Sequence, residues 1–283
     1  MDTIDNCNNS SDISQLFTKK YESLYNSIGY CSSDMNSIIS TLDKMSNSDH
    51  CVKNMCIQKH YISEGDVASC VKKLKLGKGD VHSGLVSNHI IHGGPVLWKY
   101  LAIVFNVMIT HSFVPSNILS STIIPIPKNK RKSLNDSNNY RSIVMCSALS
   151  KLLDYIILEK FENVLFTSNL QFGFKKGHST TQCSFVVNEV VQYYKNRDSN
   201  AYITMLDATK AFDKVNYVKL FKLLIKQGLC PLYCKFMVNL YTMQSLNVKW
   251  GNCFSDTFTV SNGVKQGGVI SPILFGVYID QLL

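Results

Sequence analysis

The chain has 283 residues, enough for one large domain or two smaller ones, and 45% of them are hydrophobic, which excludes a disordered polypeptide. Its net charge of +9 is uneven: residues 1–50 hold three Lys/Arg against seven Asp/Glu, and residues 51–283 hold 26 against 13. A basic body of this kind suits a polyanion such as nucleic acid, or is a solvated basic surface with no partner.

No apolar run approaches the length that spans a bilayer, so no membrane role is expected. The acidic start MDTIDNCNNSSDIS does not read as a secretory signal. Ten cysteines without framework spacing then read as reduced thiols of an intracellular protein, cytoplasmic or nuclear.

In chain order, the Ser/Asn-rich first 50 residues give two weak helices, 14–27 and 34–46, or a loosely ordered tail. Ser63 precedes a helical run that stops at the glycines of 77–79. PVLWKYLAIVFNVMITHSFVP is apolar on most faces and predicts a buried helix over 95–111. Two β-branched runs, 121–126 and 140–145, flank a loop rich in Lys, Asn and Ser and predict a hairpin with a long basic loop. Helices follow at 148–165 and 179–196, separated by the turn region QFGFKKGHSTTQ. AYITMLDA predicts a strand ending at Asp207. VNYVKLFKLLIKQGL predicts an amphipathic helix stopped by Gly228, and Pro231 starts another. LNVKWGNCFSDTFTV reads as two short strands, GVKQGG as a tight loop, and Ser271–Pro272 as the start of a last helix.

A carboxylate at a strand end projects into a cleft, where a hard divalent cation would take it together with substrate phosphates. Taken alone, Asp207 reads first as the N-cap of the segment beginning near Thr209. Phe212, five residues on, can present a flat ring beside whatever Asp207 holds. GVKQGGVISP lets a backbone approach a ligand closely, with Gln266 as an amide reader. The hairpin supplies Lys128 and Arg141 as triphosphate ligands, or is a solvated charged loop.

The strings IIPIPK, NNYRSIVM, LQFGFKKGHSTTQ, LDATKAFDKV and SNGVKQGGVISPILFGVYID, in that order, resemble the reverse transcriptase domain of a non-LTR, LINE-type (jockey-like) retrotransposon. The resemblance runs from 63 to 283, with LKLGKG and SGLVSNHI similar to the family's N-terminal extension. It implies an α+β fold with right-hand polymerase fingers and a partial palm, an antiparallel sheet with packed helices. The expected layout is a leader over 1–62, the extension over 63–120, and fingers with partial palm over 121–283. It also implies RNA-directed DNA synthesis, with an RNA template, a DNA primer and dNTPs as partners and two Mg²⁺ ions as cofactors. By position, Asp207 resembles the aspartate that binds both metals, assisted by the Ala208 carbonyl. Phe212 resembles the steric gate against a ribose 2′-hydroxyl, and Arg141, helped by Lys128, the grip on the triphosphate. Gln266 and Gly267 fall in the motif that contours the nucleotide, and Lys175, Lys176 and His178 in a template and primer segment. Asp213 reads as structural, a cap for the helix at 216–227.

The family's second acidic cluster, Tyr/Phe-x-Asp-Asp, has no counterpart, since the chain contains no two adjacent aspartates. Asp280 in YIDQLL belongs to the helix after the glutamine motif and is not that cluster. The expectation is therefore a C-terminally truncated domain that does not polymerise alone and exposes an apolar edge of its palm. A non-catalytic nucleic-acid-binding remnant is the alternative, and a group II intron or telomerase-like polymerase fits the motif strings less well. Ser83 stands where the family commonly has an acid. His50, Cys51, Cys56 and His60 match no closed zinc spacing. Cys230 with Cys234, Trp98, Trp250, Tyr193 and Tyr194 read as packing residues.

Overall fold

The computed structural model describes residues 3–47, 59–79 and 84–282. The sheet begins with the expected hairpin. β1 (Ser120–Pro127) and β2 (Tyr140–Met145) run antiparallel, with Ile123 opposite Val144 and Ile126 opposite Arg141. The connecting loop is tied by Asn139, whose Nδ2 donates to the carbonyls of Asn129 and Ser133. β3 (Ser245–Trp250) adds to the other edge of β1 in parallel, and β4 (Cys253–Phe254) and β5 (Phe258–Thr259) pair antiparallel with β3. The sheet is therefore mixed, not antiparallel as expected. Between β1 and β3 the chain passes through several helices, and a crossover of that kind returns it in its original direction.

One face of this sheet is closed by α1 (Ser10–Tyr25), whose Ile13, Phe17, Tyr21 and Tyr25 share a core with Ile123, Val144, Leu246 and Val248. Phe17 stacks on Trp250 at 5.4 Å between ring centroids. The leader thus places a helix inside the fold, and α2 (Ser32–Ser46) buries Met35, Ile38 and Leu42 in a second, larger core.

That second core is helical. It gathers α3 (Glu64–Val71), α4 (Ser87–Ile91), α5 (Gly94–Thr110), α6 (Ser116–Leu119) and α7 (Ala148–Lys160). It also takes α9 (Tyr217–Lys226), α10 (Pro231–Thr242) and α11 (Ser271–Ile279), while α8 (Thr180–Lys195) stays outside it. Local signals set several of these ends. Ser63 and Asp66 form a reciprocal capping box, Pro231 opens α10, and Gly228 ends α9 at φ +85°. Cys230 and Cys234 are buried in this core, and the Trp98 indole donates to the Ile90 carbonyl.

Three further expectations fail. The helix α5 forms but is not buried: Ala102, Phe105, Met108 and Ile109 face the core, while Val96, Tyr100, Val104 and Val107 are exposed. One stripe of a helix is enough to anchor it, and the rest of an all-apolar surface is left in water. Residues 201–208 form no strand, with Met205 88% and Leu206 91% exposed. Among the described residues no strand pairs with this run, so its backbone groups stay with water. Tyr193 and Tyr194 are exposed on α8, which buries no residue; they pack edge-on against each other, and Arg197 covers Tyr193 at 3.6 Å. Cys51, Cys56, His50 and Ser83 lie outside the described residues.

Candidate active site

Two stretches far apart in sequence are stitched together. The Val264 amide donates to the Phe212 carbonyl at 2.8 Å and the Gly263 amide to the Val215 carbonyl at 2.8 Å. The Asn262 side chain donates to the Asp213 carbonyl at 2.7 Å. Gly263 has φ +93°, and a Cβ there would lie 2.7 Å from the Asp213 carbonyl oxygen, so only glycine permits this approach. The same loop then reaches β2, where the Val144 amide donates to the Gln266 carbonyl at 2.7 Å. Gly267, at φ +122°, lets the chain turn away beneath the Val144 carbonyl.

Asp213 sits at the junction, 4% exposed. Its Oδ1 accepts from Gln266 Nε2 at 2.8 Å and from the Ser142 hydroxyl at 3.4 Å. The Tyr25 hydroxyl of α1 lies 3.0 Å from Ser142 Oγ and also reaches Asp213. Burial raises the Asp213 pKa above the ordinary carboxylate value, and the hydrogen bonds from Tyr25, Gln266 and Ser142 oppose that rise. Asp213 is not the cap of the following helix. Asn216 takes that place, its side chain accepting from the Lys219 amide at 2.9 Å.

The loop is held from behind as well. Asp154 of α7 accepts from the Val269 amide at 3.1 Å and the Ile270 amide at 3.4 Å. Its carboxyl is pushed up to about 6 by burial, with Lys265 and these two amides pulling the other way.

Around this frame lie five of the expected residues. The Phe212 ring stacks on Phe275 at 4.7 Å and meets Phe174 edge-on at 5.7 Å. Gln266 is half-buried and Gly267 exposed. Arg141 is exposed on β2, next to Ser142, on the strand face away from the buried Tyr140 and Val144. Lys128 is exposed, its ammonium donating to the Asn138 carbonyl at 2.8 Å. Lys20 of α1, absent from the sequence-based set, donates at 2.8 Å to both Ser137 and Asn138, close enough to Lys128 and Lys210 for burial and mutual repulsion to lower its pKa.

The other expected residues are arranged differently. Asp207 and Ala208 are exposed in the strandless run, and Asp207 caps no helix: the short 3₁₀ turn Phe212–Lys214 starts from Ala211. Lys175 is turned inward, donating to the carbonyls of Thr167 and Ser168 and to Asn169. Lys176 is exposed, and His178 lies edge-on to Phe172 at 5.6 Å. Between the 170–173 turn, α8 and α11 is an apolar cavity of about 820 Å³, lined by Leu170, Phe172, Val187, Val191, Met205 and Ile279. Among the described residues no three His, Cys, Asp or Glu side chains converge, so Asp207 offers a single carboxylate. That donor set does not fit a two-ion site.

Tyr25, Ser142 and Asp154 escaped sequence reading, and Asp213 was read as a cap. Asp154 carried a signal, an acid among the leucines and isoleucines of SKLLDYIILEK. Tyr25 and Ser142 carried none.

Residues 126–283 match the family model described as reverse transcriptase (RNA-dependent DNA polymerase). The chain is 27% identical over 224 residues to a probable RNA-directed DNA polymerase from transposon BS of Drosophila melanogaster, covering 77% of this chain and 24% of that protein. It is 29% identical over 190 residues to a probable RNA-directed DNA polymerase from transposon X-element of the same organism, covering 65% and 20%. It is 27% identical over 223 residues to the RNA-directed DNA polymerase from mobile element jockey of Drosophila funebris, covering 77% and 24%. The chain thus spans a fifth to a quarter of the length of these relatives. With the matching segment covering more than half of its residues, the chain belongs to the reverse transcriptase family.

Proposed function

We propose that this chain is the nucleotide-gripping part of an RNA-directed DNA polymerase of a non-LTR retrotransposon, with fingers and partial palm over 121–283, the N-terminal extension over 63–120 and the leader over 1–62. The reaction class is nucleotidyl transfer: a primer 3′-hydroxyl attacks the α-phosphate of a dNTP and pyrophosphate leaves. The observation that carries the reading is the double attachment of Gln266, by its carbonyl to Val144 and by its side chain to Asp213, which draws Phe212, Gln266 and the strand of Arg141 around one buried acid.

In this reading Arg141, with Lys128, holds the triphosphate through charge-assisted hydrogen bonds. The rigid Phe212 ring, pinned by Phe275, closes the space that a ribose 2′-hydroxyl would need. Gln266 and Gly267 contour the nucleotide, while Lys176, with Lys175 and His178 beside it, follows the phosphate backbone of template and primer. Family membership implies a divalent metal cofactor. We take it to be Mg²⁺, for which Asp207 and the Ala208 carbonyl supply part of the ligand set. The lone carboxylate at 207 favours a second reading, in which the chain by itself binds nucleic acid without catalysis. Among the described residues no helix is long and apolar enough to cross a membrane, and the eight described cysteines are free.

The test is binding of dTTP and UTP to the chain on a primed RNA template with Mg²⁺. The polymerase reading expects dTTP to be preferred and Phe212→Ala to narrow the preference. Binding of the primed template that weakens with salt, with no nucleotide bound at all, would leave the non-catalytic reading standing.

A further inference from the structure

We infer that Asp213 is a positioning residue that fixes which end of the Gln266 amide faces the nucleotide site, and that Tyr25 of the N-terminal helix completes its setting. The functional consequence rests on the reading above; the orientation itself does not.

A glutamine amide presents two donors at Nε2 and an acceptor at Oε1, and rotation by half a turn exchanges them. An ionised carboxylate only accepts. Asp213 Oδ1 accepts from Gln266 Nε2 at 2.8 Å and from the Ser142 hydroxyl at 3.4 Å, and Ser142 Oγ in turn lies 3.0 Å from the Tyr25 hydroxyl, so the groups around the acid form one donor chain. The rotated amide would set Oε1 against a carboxylate oxygen and leave a buried acid short of a donor, which costs far more than the hydrogen bond gains. Gln266 cannot relax by moving its backbone, because its carbonyl is tied to the Val144 amide. Among the described residues no protein donor reaches Oε1, and the side chain is half-buried. The amide therefore offers its acceptor, and the group it reads on the nucleotide is a hydrogen-bond donor.

Tyr25 extends this arrangement to the other end of the chain. Its hydroxyl lies 3.0 Å from Ser142 Oγ, and its carbonyl accepts from the Ser261 and Asn262 amides, each at 3.0 Å. Asn262 in turn holds the Asp213 carbonyl and, at 3.1 Å, the Leu24 carbonyl. Residue 25 lies outside the segment that matches the family model, so this part of the site is supplied by the leader.

The experiment is side-chain amide NMR on the ¹⁵N-labelled 283-residue chain, with the Gln266 Nε2 pair assigned by its loss in Gln266→Glu. The expected result is a Gln266 pair that exchanges with solvent about tenfold or more slowly than those of exposed glutamines, with protection falling about tenfold in Asp213→Asn and by less in Tyr25→Phe. A wild-type Gln266 pair that exchanges as fast as exposed glutamines would overturn the inference without any variant. Loss of thermal stability in Asp213→Asn with Gln266 protection unchanged would also overturn it, by assigning Asp213 a structural role only. A protected, Asp213-dependent pair in a chain that binds no nucleotide would support the orientation and remove the functional reading instead.

Discussion

The region around Asp213 and the arm formed by residues 180–208 both carry family motifs, yet they are built on opposite terms. Around Asp213, five segments converge, from α1, β2, the 212–216 turn, the 262–267 loop and α7, and the side chains of Tyr25, Ser142, Asp213 and Asp154 are matched by partners. On the arm, α8 buries nothing and the following run leaves Met205 and Leu206 in water. A site built from converging segments is held by the fold and needs no ligand to order it. A run that finds no ladder partner keeps only its local preference, and Asp207 at its end has no fixed neighbours.

The largest test of this contrast strikes the support of the first region. Phe17→Ala in α1 should lower stability by about 3–5 kcal/mol, because the ring fills the space between Tyr21, Tyr140 and Trp250. Chemical denaturation measures it, and a loss under about 1 kcal/mol would mean that the leader is no part of the core. A second test uses Asp154. Burial pushes its carboxyl up to about 6, above the ordinary carboxylate value of 3.8. The protonated carboxyl therefore stabilises fully below the lower value, and that contribution is lost as pH rises through about 6. Stability should fall between pH 4 and 6.5 by on the order of 2–3 kcal/mol from this group, and Asp154→Asn should flatten most of the slope. Asp213, also raised by burial, contributes a remainder of the same sign.

A third test narrows to the loop. Gly263→Ala should cost about 1–3 kcal/mol, since φ is +93° and the added Cβ meets the Asp213 carbonyl. The smallest effect belongs to the arm: Leu206→Ser should change stability by less than about 0.5 kcal/mol. A large loss there would show that residues 201–208 are packed after all.

What the sequence made legible follows from the range of the forces involved. The hairpin of β1 and β2, the Ser63 cap and the Gly228 stop were readable because alternation, capping and positive φ are local properties. The run 201–208 has the pattern of a strand, but a strand also needs a neighbour, which no local pattern supplies. Asp213 was misread for the opposite reason. Its position before a helix suggested a cap, while Asn216, nearer the helix, takes the amide and leaves the acid for Gln266. The family motifs marked Phe212, Gln266 and Arg141, but Tyr25 and Ser142 belong to the same network through contacts more than 110 residues apart in sequence. Only the folded chain shows those.

The most direct test of the central claim is equilibrium binding of dTTP to the 283-residue chain on a primed RNA template with Mg²⁺, comparing wild type with Arg141→Ala. The account predicts saturable binding that Arg141→Ala weakens by about tenfold or more, the loss of one charge-assisted phosphate contact. Binding that is absent in the wild type, or unchanged when Arg141 is removed, would contradict it.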